Sequence, residues 1–168
     1  MSRPVSTSIW ADAWRAVDRL LREQNWPAPP SNSKGVKVFT SAFGKEGPPD
    51  ESVLLITETI EDEQSYAMLG EQRKDETFLL QIDVATMLPH KTWEEATART
   101  EALVAVIERM FHRTTRVGAH PPELAGRLVK WEVTRVAPLV GVMTNGAFFG
   151  SAVLLVKVSA RIKPTNPT

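Results

Sequence analysis

The chain has 168 residues, 42% of them hydrophobic and 24% charged, with a formal net charge of +0 and no cysteine. That size fits one domain able to bury about 70% of its unfolded surface, the balanced charge gives no overall attraction for nucleic acid, and the absent cysteines exclude disulfides and thiolate chemistry. Met1 to Ser8 lack the apolar run of a signal peptide and no apolar stretch reaches the roughly 18 residues of a membrane span, so the expectation is a soluble protein made in a cytoplasm.

The first element is a helix. Ile9, Trp10, Ala13, Trp14, Val17, Leu20, Leu21 and Gln24 recur at three- and four-residue steps and predict a helix over 9–24. Ser6 or Ser8 is placed to cap it, and Pro27, Pro29 and Pro30 end it. Ser31 to Gly35 reads as a loop. Val36, Val38 and Phe39 begin a short strand, and Gly44 to Asp50 is an exposed connection. Val53 to Thr57 predicts a second strand, apolar enough to be buried on both faces. The acidic Glu61-Asp62-Glu63 reads as a turn before a third strand from Glu76 to Met87. There Phe78, Leu80, Ile82 and Val84 share one face, and Gln81 and Asp83 lie on the other.

Thr92 to Arg113 is the strongest element. Thr92 and Glu95 have the spacing of a capping box, and Ala96, Thr100, Leu103, Ile107, Met110 and Phe111 form an apolar stripe. Glu95 and Arg99 stand at i,i+4, where an ion pair adds a few tenths of a kcal/mol. After a loop from Gly118 to Gly126, Val129, Trp131 and Val133 alternate with Lys130, Glu132 and Thr134. Asn145-Gly146 predicts a two-residue hairpin turn. Ala152, Leu154, Val156, Val158 and Ala160 then alternate with polar neighbours until Pro164 and Pro167 close a loose end. The implied architecture is α+β: a mainly antiparallel or mixed β-sheet, two main helices packed on one face, and a long projecting C-terminal hairpin, all in one domain over 1–168.

Catalytic chemistry finds little support in these residues. His90, His112 and His120 have no ligand spacing to one another or to a carboxylate, and His112 near a helix end is more simply a cation favoured by the macrodipole. No serine sits in a G-x-S-x-G elbow. Glu61-Asp62-Glu63 is explained by a solvated turn or by an interface charge patch. Of the five tryptophans, Trp10 and Trp14 suit core packing, while Lys130, Trp131 and Arg135 faintly suggest a platform for nucleic-acid bases. No catalytic, cofactor or metal residue is assigned.

One set of motifs points elsewhere. Tyr66-Ala67-Met68-Leu69-Gly70, the basic-acidic lead from Arg73 into the strand at Leu80, and the Thr92 to Arg113 helix occur in order. They are followed by the loop Pro121 to Gly126 and the closing strand Ser159-Ala160-Arg161-Ile162. Over residues 60 to 162 this resembles the tail terminator (tail completion) proteins of long-tailed, siphovirus-type bacteriophages. The proline-rich His120-Pro121-Pro122-Glu123 and the long strands around Asn145 depart from that pattern.

The resemblance implies a non-enzymatic virion protein without cofactor, a homo-hexamer whose ring caps the tail tube and stops its polymerisation. It implies contacts with the major tail tube protein and with head-completion or connector proteins. Genome DNA would pass through the ring without sequence-specific binding, with no membrane involved. The implied location is the tail–neck junction of the virion, and the host cytoplasm during assembly. A head–tail joining adaptor, or less simply a small ligand-binding domain, remains an alternative. Expected interface residues are the charged Glu61, Asp62, Glu63, Arg73 and Lys74, and the hairpin residues Met143, Asn145, Phe148 and Phe149.

Overall fold

A computed structural model describes residues 8–29, 34–45, 47, 49–66 and 74–162. Ser6, residues 31–33, the Ala67–Gly70 part of the resemblance motif, Arg73, Pro164 and Pro167 lie outside the described residues. In chain order come α1 (Trp10–Arg22), β1 (Val36–Thr40), β2 (Glu51–Tyr66), β3 (Lys74–His90), α2 (Trp93–Thr114), a short 3₁₀ turn (Pro122–Leu124), β4 (Leu128–Val142) and β5 (Phe148–Ile162). The strands form one five-stranded sheet in the order β1-β2-β3-β5-β4. β1 joins β2 in parallel, which an all-antiparallel meander would not give, and every other junction is antiparallel.

Both helices cover the same sheet face. Period-two alternation puts Phe78, Leu80, Ile82 and Val84 of β3 beside Ala152, Leu154, Val156 and Val158 of β5, all buried. On these residues α1 sets Ile9, Ala13, Val17 and Leu21, and α2 sets Leu103, Ile107, Met110 and Phe111. α2 crosses β3, β5 and β4, and α1 lies over β1, β2 and the 3₁₀ turn. α2 approaches β5 closely at Gly150, where a Cβ would collide with Thr100 Oγ1 and crowd the Ala96 carbonyl. Trp131 is fully buried. Its ring meets Phe111 edge-on at 5.1 Å and its indole N–H donates to Thr114 Oγ1 at 3.0 Å.

Several local expectations change in the folded chain. Glu61, Asp62 and Glu63 are strand residues, because β2 runs on to Tyr66 through two irregularities that flank Ile60, with Glu61 at φ 53°. Such bulges let a strand accommodate residues that the alternating pattern does not fit. A register shift between Leu128 and Lys130 turns Val129 outward, 47% exposed, although Trp131 keeps its inward place. The β4–β5 turn has three residues between Met143 N and Ala147 O, which are 2.7 Å apart. Only Gly146 takes the left-handed conformation, at φ 81°. Ser8 is not the cap of α1: Ile9 takes that position without a side-chain cap bond, and Ser8 Oγ, one residue earlier, accepts from Trp10 N at 3.2 Å.

Glu95 N donates to Thr92 Oγ1 at 3.2 Å, as expected of the cap. Arg99, however, bonds not to Glu95 but to Glu51. The Glu51 carboxylate is fully buried at the start of β2 and takes both forks of the guanidinium, at 2.6 and 2.7 Å. The same guanidinium donates to the carbonyls of Pro27 and Ala28 at 3.2 and 3.1 Å. A buried carboxylate without a cation is costly, whereas an exposed i,i+4 pair adds little, so burial decides Arg99's partner.

Candidate functional site

Several polar side chains hold the fold. Glu76, fully buried on β3, accepts from Ser8 Oγ at 2.7 Å and from Ile9 N at 3.3 Å, so a carboxylate from the sheet sits at the start of α1. Further along α1, Arg19 forks onto Glu123 of the 3₁₀ turn at 2.5 and 3.0 Å. That contact holds the Glu123 carboxyl below its ordinary value and raises Arg19 above its own. Arg127 reaches Asp12 at 2.8 Å. Asp62 responds in the other direction: desolvation first, then the Glu76 carboxylate beside it, push its carboxyl up.

The histidines are apart. His90 is buried with Nε2 3.0 Å from Thr86 Oγ1, His112 is exposed near Arg116, and His120 Nε2 lies 3.0 Å from the Thr115 carbonyl. Among the described residues no three His, Asp or Glu side chains are grouped to hold a metal ion. Because Trp131 is fully buried, it offers no face on which a base could stack, and the Lys130-Trp131-Arg135 platform is set aside.

Glu61, Asp62 and Glu63 are exposed on β2. Lys74 opens β3 directly across from Tyr66, so it belongs to the strand next to the acidic residues and not to an opposite edge. Met143 and Asn145 lie in the β4–β5 turn, where Asn145 Oδ1 accepts from Ala147 N at 3.0 Å, and Phe148 and Phe149 open β5. Phe149 packs its ring over Gly141 on the facing strand. The charged and hairpin groups therefore occupy separate places.

A groove of about 430 Å³ lies between α2 and the outer half of the hairpin, walled chiefly by Trp93, Thr97, Val104, Val136, Pro138 and Val140. Trp93 is 55% exposed, Leu139, which also lines the groove, is 61% exposed, and Val142 further along β4 is 62% exposed. None of the residues lining the groove was singled out as an interface residue by sequence. A usable signal was there, since Val136 to Val142 is apolar without alternation and contains Pro138, and proline inside a strand marks a sheet edge. β4 is that edge.

Comparison with models of known protein families gives no match, and comparison with curated proteins gives none either.

Proposed function

We propose that this chain is a structural subunit of a phage tail terminator, forming a hexameric ring that caps the tail tube, stops its polymerisation and joins it to the neck proteins. The observation that carries the reading is the form of the surface. Among the described residues, one sheet face is covered by both helices, no helix lies on the other, and no further strand pairs with the outer sides of β1 and β4, the latter beside an exposed apolar hairpin. Exposed long edges and clustered apolar side chains fit a subunit whose remaining contacts come from other chains. The order of motifs along the sequence adds the phage assignment, although its Ala67–Arg73 part lies outside the described residues.

Native mass measurement on the purified protein, alone and with its tail tube protein, tests the proposal. A sixfold species that shortens and caps tubes in electron micrographs is the expected result. A chain that stays monomeric in both conditions, or a hydrolytic or transferase activity lost in His112→Ala or His120→Ala, overturns it.

A further inference from the structure

The two ends of the sheet carry opposite charge at the same height. β1 pairs only with residues 51–55 of β2. Ser41 N then donates to Leu55 O at 2.9 Å and the Ser41 hydroxyl touches that of Thr57. Beyond that point no described strand lies against the outer edge of β2, which presents exposed Glu58, Glu61 and Glu63. At the other end of the sheet, the first half of β4 presents exposed Lys130 and Arg135.

Following the pairing across the sheet gives the heights. Glu63 is level with Thr77, Thr77 with Ser159, and Ser159 with Lys130. Ile56 is level with Gln81, Leu155 and Arg135. Glu58, Glu61 and Glu63 therefore span the same rows of the sheet as Lys130 and Arg135. Higher up, Val38 of β1 is level with Val53, Val84, Ala152 and Pro138, so β1 stands opposite the apolar half of β4.

Strand direction agrees. Three antiparallel junctions separate β2 from β4, so the two run in opposite directions. A second copy set beside the first, with the same face outward and no shift along the strands, places β4 of one against β1 and β2 of the next in antiparallel sense. We infer that copies of this chain associate head to tail through these edges, the acidic edge of β2 meeting the basic half of β4 and β1 meeting the apolar half. The inference rests on the ring reading above for the number of copies and assigns its interface. Such a contact is heterologous, as ring closure requires. Bulges in β2 and β4 make side chains, more than an unbroken backbone ladder, the main contact.

Two charges in this region do not follow the pattern. Glu132 sits among the basic residues but is already paired with Lys130 at 2.8 Å. Lys37 of β1 stands at the height of Leu139, within the apolar half. None of Glu58, Glu61, Glu63 or Arg135 has an ion-pair partner among the described residues.

The cysteine-free chain allows a direct test with Glu63→Cys and Lys130→Cys in one molecule. Three strand spacings of about 4.8 Å separate these positions within a subunit, too far for a disulfide, whose Cα atoms lie within about 7 Å. Mild oxidation should therefore give a ladder of covalent multimers, and equal mixing of the two single variants should give one covalent dimer. As a second measurement, Lys130→Glu with Arg135→Glu should weaken self-association of the unmodified chain by roughly tenfold at low salt and less at high salt. A multimer by native mass whose cysteines stay free overturns the edge assignment and leaves the ring reading standing. Crosslinking within Lys130→Cys alone overturns it in favour of a two-fold contact. A monomer, with or without the tube protein, overturns both.

Discussion

The buried ion pair between Glu51 and Arg99 should be the most sensitive polar contact in the subunit. Glu51 is fully buried, and the Arg99 side chain is 10% exposed. Arg99→Met keeps most of the side-chain volume but leaves a carboxylate in the interior without its cation. Breaking one partner of such a pair costs about 3–5 kcal/mol, and for a domain of this size each kcal/mol moves the melting point by about 2–4 °C. Together these figures give a fall of roughly 6–20 °C. Glu51→Gln should cost less, about 1–3 kcal/mol, because Arg99 is near the surface and keeps the carbonyls of Pro27 and Ala28.

The double variant Glu51→Met with Arg99→Met removes both charges, so its cost should fall well below the sum of the single Met variants. Urea unfolding with unchanged denaturant slope reads each value. A loss under about 1 kcal/mol in Arg99→Met, or additive costs around the cycle, would refute the reasoning, because either would mean that solvent already screens the carboxylate. The clamp also joins α2, the start of β2 and the segment after α1, so its loss should loosen the helix that walls the groove.

Leu103→Ala and Leu154→Ala, both fully buried, should each cost about 2–5 kcal/mol in the same urea assay, with Phe78 and Ile107 behaving alike. Gly150→Ala should lower the melting point by forcing α2 off β5, since the new methyl meets Thr100 and the Ala96 carbonyl. Hydrogen exchange at 141–149 should slow when the isolated subunit enters its assembly, and equal protection in both forms would count against the hairpin as a contact. Asp62→Asn should stabilise the fold at pH 7 and give progressively less benefit toward pH 4 in melting experiments. The wild-type carboxyl is raised in the folded state above its ordinary value, so its contribution is present below the unfolded value and lost as pH rises through the folded one. A gain that is the same at every pH would contradict that assignment.

Much of the fold is legible in the residue pattern, because burial on one face writes a period. β3 and β5 alternate cleanly, and α2 carries both a stripe and a cap, so each side chain there has one consistent place. Legibility fails where the backbone departs from its period. Val129 looks inward by alternation and is turned out by the irregularity between Leu128 and Lys130, in which it sits. Glu61 to Glu63 look like a turn because acidic runs favour water, yet a strand with irregularities exposes them just as well. The parallel pairing of β1 and the choice of Glu51 over Glu95 by Arg99 depend on contacts distant in sequence, which no local period encodes.

The candidate surface is harder to read than the core for a related reason. A core residue is specified by what its own chain must bury, whereas an interface residue is specified by a partner that the sequence does not contain. The charge blocks Glu61-Asp62-Glu63 and Arg73-Lys74 look complementary along the chain, but Lys74 opens β3, the strand paired directly with the acidic residues' own strand β2. Complementarity useful for joining copies has to lie between opposite ends of the sheet, and only the strand order β1-β2-β3-β5-β4 shows which strands those are. Once that order is known, Lys130 and Arg135 cease to be the polar half of an alternating pattern. They become the counterparts of Glu58 to Glu63, across a distance that one subunit cannot close and a second copy can.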